Sequence, residues 1–67
     1  MTVDIKGLGK ITASKEVLSE IVSAFYNEGE FYKNKNYLVR SECSNKRADT
    51  IYDALEKCGY YDKNVSR

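Results

Sequence analysis

The sequence predicts a small α+β fold in which two helices cover one face of a sheet of three to four strands. Two capped amphipathic segments predict the helices, and short alternating segments before each of them predict the strands. The chain has 67 residues, of which 42% are hydrophobic and 31% charged, so we expect a single globular domain over residues 1–67. The expected order is ββαββα or ββαβα.

The first twelve residues predict a β-hairpin. Val3, Ile5 and Ile11 share one parity, and residues 6–9 between them read Lys-Gly-Leu-Gly, which is typical of a turn. We therefore expect the hairpin to span residues 2–12.

The first helix is predicted over residues 15–28, with Ser14 as its N-cap and Gly29 as the C′ glycine that ends it. On a turn of about 100° per residue, five apolar side chains fall within an arc of about 140°. They are Val17, Leu18, Ile21, Val22 and Phe25.

The middle of the chain gives a weaker β signal. Residues 37–43 alternate, with Tyr37, Val39, Ser41 and Cys43 on one side, which favours a half-buried strand. Residues 31–33 could form its partner strand or a loop, and the sequence leaves both open.

The second helix is predicted over residues 45–58. Ser44 or Asn45 caps its start, and Gly59 ends it, so that Tyr60 can pack back on Leu55. Five residues share a face about 120° wide: Ala48, Ile51, Tyr52, Leu55 and Cys58.

A shift of 30 residues superimposes the two predicted helices. Ser14 then matches Ser44, and Gly29 matches Gly59. This favours an internal pseudo-repeat of strand–strand–helix units, although any two capped helices of equal length would match in the same way.

Catalytic chemistry has little support in the sequence, so we expect no enzyme and no cofactor. The chain has no histidine, which removes the commonest general base and the usual nucleophile systems. Residues 7–9 lack the third glycine of a dinucleotide loop and the Lys of a P-loop. Asp49, Asp53 and Glu56 line one helix stripe, but such a stripe is usually solvated, and we expect no metal site.

Cys43 and Cys58 are expected to be free thiols in a cytoplasmic protein. A helix between them would hold them about 20 Å apart, whereas a disulfide needs Cα atoms within about 7 Å. The sequence has no apolar run of about 18 residues and no signal peptide, so we expect no membrane association.

Charge is concentrated in three segments. Residues 12–30 and 48–62 each have a net charge of −3, whereas residues 31–47 have a net charge of +4. Phe31, Tyr32 and Tyr37 alternate with cations in this basic band, a pattern used by proteins that bind single strands and RNA.

An anion site is predicted at the start of the second helix. Lys46 and Arg47 would occupy its first turn beside the Ser44 hydroxyl, where free N–H groups attract anions. Two solvated surface cations would explain the pattern equally well.

These observations favour a non-enzymatic protein-interaction module, such as an inhibitor, adaptor or regulator. Tyrosine and arginine are enriched in protein interfaces, and the chain has six tyrosines. Its size and composition resemble products of phages and mobile elements. The expected partner-binding residues are Tyr32, Lys33, Lys35, Tyr37 and Arg40.

The alternative is a binder of single-stranded nucleic acid or RNA that uses the band 31–47. Near-zero net charge and two flanking acidic helices argue against it, because they would repel phosphate within a Debye length of about 8 Å. The sequence leaves the oligomeric state open.

Overall fold

The chain folds as a β-hairpin followed by a pair of long helices. A computed structural model describes residues 1–61. The elements in order are β1 (Thr2–Ile5), β2 (Gly9–Thr12), α1 (Lys15–Asn34) and α2 (Leu38–Lys57). The small α+β class is therefore confirmed. The sheet has two strands in the described residues, so the expected sheet of three to four strands and the ββαββα and ββαβα orders are wrong.

The predicted hairpin is confirmed. β1 and β2 are antiparallel, with Val3 opposite Ile11 and Ile5 opposite Gly9. Gly7 and Gly9 have φ angles of 91° and 94°, a region that glycine enters without steric cost. Val3 and Ile5 are buried, so the apolar parity seen in the sequence marks the face that packs on the helices.

The start of α1 is also as predicted, but its end is not. The Ser14 hydroxyl accepts a hydrogen bond of 3.2 Å from the Val17 N–H, which satisfies one of the free donors of the first turn. Gly29 was expected to end this helix, yet it is buried inside α1. The helix continues because Gly29 packs against α2 instead of adopting a left-handed conformation.

The residue with positive φ that follows α1 is Asn36, whereas Gly29 was expected in this role. Asn36 has a φ of 65°, and asparagine tolerates this region better than most residues do. Its N–H donates to the Lys33 carbonyl at 3.0 Å, and the Tyr37 N–H donates to the Tyr32 carbonyl at 2.8 Å. These two bonds form a Schellman motif. Residues 31–33 therefore belong to α1 and are neither of the two expected alternatives, a strand or a loop.

The predicted strand over residues 37–43 is wrong as well, because α2 begins at Leu38. The alternation there has no buried face to match it: Leu38 and Val39 are both exposed. The buried positions of α2 instead repeat at intervals of three and four, as in a coiled coil. They are Ser41, Ser44, Ala48, Ile51 and Leu55.

The end of α2 confirms the prediction for Gly59. Gly59 has a φ of 86°, and the Tyr60 N–H donates to the Leu55 carbonyl at 3.0 Å. Tyr60 packs against the core, as a residue after a Schellman glycine often does. The 30-residue pseudo-repeat is wrong, since Gly29 and Ser44 lie inside helices whereas their counterparts Gly59 and Ser14 lie at helix ends.

The apolar core occupies one half of the molecule. It joins the hairpin to the first half of α1 and the second half of α2, through Val3, Ile5, Leu18, Val22, Ala48, Ile51 and Leu55. The other half consists of the two helices alone, and there small residues replace the apolar ones. The α1–α2 turn therefore lies at the end of the molecule that is remote from the core.

Candidate functional site

Aromatic rings and cations cluster around the α1–α2 turn. The Arg40 guanidinium lies 5.8 Å from the Tyr32 ring centre and 5.9 Å from that of Tyr37. The Lys35 ammonium lies 5.3 Å from the Phe31 ring centre. These are cation–π distances, so the turn holds its cations in defined positions over the rings.

Four large side chains at this turn are exposed to solvent. Phe31 is 55% exposed, Tyr37 53%, Leu38 64% and Val39 78%. Single exposed apolar residues are common on protein surfaces, whereas large contiguous apolar surface is typical of interaction sites. We call these four residues the tip surface.

A second feature runs along α2 towards the hairpin turn. A cavity of about 350 Å³ lies between residues 5–7 of the hairpin and α2, and another of about 320 Å³ lies between α2 and α1. Cys43 and Arg47 line both, so the two cavities adjoin along α2. We call the pair of cavities the basic groove, after its cations Lys6, Arg40, Lys46 and Arg47.

Carboxylates near the basic groove already have partners. Glu28 lines it, and its Oε1 accepts a 2.7 Å hydrogen bond from the Ser44 hydroxyl. Glu42 lies 3.6 Å from the Lys46 ammonium. Within residues 1–61, neither Arg40 nor Arg47 forms an ion pair with a carboxylate. Both guanidinium groups therefore have donors left for an added anion.

The remaining acidic side chains of α2 lie on its other side. At 100° per residue, Asp49, Asp53 and Glu56 are each at least about 120° around the helix from Arg47. On that side Tyr26 donates a short hydrogen bond to Asp49 Oδ1. This bond is the main cause that raises the pKa of Tyr26 to about 12. Arg40 and Arg47 thus lie on a face of α2 away from Asp49, Asp53 and Glu56, whereas Lys46 and Lys57 each pair with a carboxylate four residues earlier.

The residues of the predicted anion site do not lie at a helix start, because α2 begins at Leu38. Ser44 was expected to be an N-cap, but it is buried in the interior of α2 and donates to Glu28. Lys46 and Arg47 lie in the third turn of α2, where the backbone N–H groups are already used within the helix. Their side chains line the basic groove.

The predicted partner-binding residues are largely brought together. Tyr32, Tyr37 and Arg40 touch one another, and Lys35 lies over the neighbouring Phe31. Lys33 is exposed in the last turn of α1, without a contact to these rings. Sequence reasoning missed Lys6, because only the fold brings the hairpin turn to α2. It also missed Leu38 and Val39, which would have stood out as unburied apolar residues had α2 been extended.

Several tyrosines outside this cluster are structural. Tyr52 and Tyr61 stack with ring centres 4.6 Å apart, and the Tyr61 hydroxyl lies 3.0 Å from that of Ser19. Tyr60 and Tyr61 both pack against the core. Tyr52, Tyr60 and Tyr61 therefore stabilise the fold, whereas Tyr26 in the middle of α1 and Tyr37 at the α1–α2 turn are exposed.

No family model, curated protein or solved structure matches this chain. The functional argument therefore depends on the geometry alone. In residues 1–61, no helix is long and apolar enough to cross a membrane. The same residues contain no group of three acidic or thiol side chains that could hold a metal ion, and this includes the stripe of Asp49, Asp53 and Glu56.

Proposed function

We propose that this chain is a non-enzymatic binding module that docks on a protein partner through the tip surface, as an inhibitor, adaptor or regulator. The tip surface is the observation that carries the proposal. Folding leaves Phe31, Tyr37, Leu38 and Val39 exposed at the end remote from the core. A partner that docks there would bury them.

The energetics of the tip surface suit a small interface. Full burial of an exposed Leu, Val or Phe side chain is worth about 1.5–3 kcal/mol. Leu38 and Val39 lie in the first turn of α2, so their backbone is already ordered before the partner binds. A preordered anchor loses less conformational entropy on binding than a flexible one does.

The charges around the tip surface indicate the charge that a partner should carry. Residues 31–40 include Lys33, Lys35 and Arg40 and no acidic residue. A partner with an apolar cleft and a carboxylate-bearing rim would match both the side chains and the charge. We expect Tyr37 and Arg40 to be the hot spots, since Tyr and Arg dominate such sites and Arg40 is held over the Tyr37 ring.

A site-specific photo-crosslinker tests this proposal. A benzophenone side chain replaces Val39 at the tip, or the exposed Val17 at the opposite end of α1, as a matched control. Irradiation in nuclease-treated lysate of the native host should give a discrete protein adduct from position 39. Adding Arg40→Ala to the position-39 protein should remove most of that adduct.

Three results would contradict the proposal. Equal adduct patterns from positions 39 and 17 would show unspecific contact. Adducts that disappear with nuclease treatment would show that nucleic acid mediated the contact. An adduct of twice the chain mass in purified protein would assign the tip surface to a second copy of this chain.

A further inference from the structure

The basic groove begins at the hairpin turn, beside Arg47. A Cβ atom added to Gly7 would lie 3.8 Å from Arg47 Nη2, so the guanidinium group lies against the backbone of the turn. Lys6 and Lys46 line the same cavity. Three cations from two distant parts of the chain therefore converge on this end of the groove.

The groove continues along α2 to Arg40. Arg40 and Arg47 are seven residues apart, so they lie within about 20° of each other around the helix and about 10 Å apart along it. The two arginines thus form a row along one face of α2.

Aromatic rings lie where this row ends. Tyr32 lines the groove beside Arg40, and its ring centre is 6.2 Å from that of Tyr37. Tyr37 is exposed. Bases of a single strand stack on such rings while cations follow the phosphates, and Arg contributes to the stack.

The objection raised by the acidic segments does not apply to this face. Asp49, Asp53 and Glu56 of α2 lie on its other side. Near the groove are Glu28, which keeps its negative charge because its partner is the neutral Ser44 hydroxyl, and Glu42, which pairs with Lys46. The four cations of the groove outnumber these two carboxylates, so the local charge is positive although the chain as a whole has a net charge of +1.

From this arrangement we propose that the basic groove binds single-stranded nucleic acid through its phosphates, with bases stacked on Tyr32 and Tyr37. An acidic protein segment could pair with the cations but would leave the rings without planar partners. The two proposals share Tyr37 and Arg40, so Lys6 and Arg47 test this one and position 39 tests the protein partner, which lets each succeed or fail separately.

Fluorescence anisotropy with labelled dT12 and rU12 tests this proposal on the full chain. With four phosphate contacts, the log–log dependence of affinity on salt should have a slope of about −2.8. Affinity should then fall about 20-fold between 50 and 150 mM NaCl. Arg47→Gln and Lys6→Gln should each flatten the slope by about 0.7. Lys15→Gln, which neutralises a cation outside the groove, should leave it unchanged.

Cysteine alkylation provides a second readout. Cys43 lies in the groove and Cys58 at the far end of α2, and both are exposed. Bound dT12 should slow iodoacetamide labelling of Cys43 several-fold and leave Cys58 unaffected. This readout needs no substitution, so it still applies if a groove variant fails to fold.

The competing outcomes are distinct. Absence of binding to both oligonucleotides at 50 mM salt would overturn the proposal. So would an equal effect of Lys15→Gln and Arg47→Gln, which would show unspecific attraction. If labelled octaglutamate binds as tightly as dT12 and protects Cys43 equally, the groove is a site for acidic protein segments.

Discussion

The Ser41 hydroxyl of α2 donates a 2.7 Å hydrogen bond to the Gly29 carbonyl of α1, and both residues are buried. A helix carbonyl normally accepts from its own helix, so this bond adds a link from the Ser41 side chain of α2 to the backbone of α1. It lies in the half of the molecule without an apolar core. Small residues and hydrogen bonds, rather than leucines, therefore hold the helices that carry the tip surface and the basic groove.

Gly29→Ala should destabilise the chain by about 1–3 kcal/mol, the usual range for overpacking. A Cβ atom at this position would lie 2.2 Å from Asn45 Oδ1 and 3.2 Å from the Ser41 carbonyl oxygen. The clash opposes the gain of about 1 kcal/mol that alanine brings to a helix interior. Urea unfolding followed by circular dichroism measures the difference.

The control for this substitution is the double variant Gly29→Ala with Asn45→Ala. Removing the Asn45 side chain relieves the shortest contact, so the double variant should recover much of the loss, in the manner of a coupled pair. A single Gly29→Ala variant as stable as the parent would show that the helices do not approach closely here.

Leu55→Ala should cost about 2–5 kcal/mol, because Leu55 is fully buried in the core. A domain of this size has about 3–5 kcal/mol in total, so the variant should be largely unfolded at 37 °C. Phe25 is only partly buried against the core, and Phe25→Ala should cost less. Val39→Ala, at an exposed position, should change stability by no more than about 0.5 kcal/mol. Similar melting of the Leu55 and Val39 variants would refute this assignment of the core.

Local signals predicted the parts of the fold that neighbouring residues determine. Ser14 caps a helix, Gly59 ends one, and the parity of Val3 and Ile5 marks a buried face. Each depends on residues a few positions apart. The same residue types gave wrong predictions where contacts between distant residues determine the structure. Gly29 was expected to end a helix, but it lies inside α1 because Asn45 of α2 packs against it.

The sequence does contain a helical pattern over the whole of α2, but a misleading strand-like alternation overlaps its first half. Residues 37–43 alternate as a strand does, but the stripe of Ala48, Ile51 and Leu55 extends back at intervals of three and four to Ser44 and Ser41. Serine at these positions conceals the period, because it is not counted as apolar. The basic band was found because its residues are close in sequence, whereas Lys6 joins it only through the fold.

Ser44→Ala tests the role of Ser44 within the helix. Loss of its 2.7 Å bond to Glu28 should cost about 1 kcal/mol. In the Glu28→Ala background the same change should cost much less, because the bond is already absent. Ser23→Ala, at an exposed position of α1, is the matched control and should be near neutral. An equal cost with and without Glu28 would instead favour a capping role.

Both cysteines should react with a thiol reagent in the native, unreduced protein. Cys43 and Cys58 are free and exposed in the structure, and fifteen residues of helix hold them about 22 Å apart. Ellman's reagent without denaturant should therefore count two thiols per chain. A count of zero in the monomer fraction would require α2 to be broken between them.

The Tyr26–Asp49 bond predicts a stability change in alkaline solution. The bond and the Asp49 charge favour the neutral phenol, and they raise the pKa of Tyr26 in the folded state from 10.0 to about 12. Below pH 10 the phenol is protonated in both the folded and the unfolded chain, so the contribution is fully present. Between pH 10 and 12 the unfolded chain loses this proton first, and stability falls as the pH rises.

Two variants separate this contribution from general alkaline unfolding. Tyr26→Phe lacks the phenol and should lose less stability between pH 9 and 11 than the parent does in urea titrations. Asp49→Asn removes the carboxylate, so the absorbance titration at 295 nm should lose its latest phase as Tyr26 ionises nearer pH 10. If the parent and Tyr26→Phe lose stability in parallel over this range, the Tyr26–Asp49 bond does not link folding to pH.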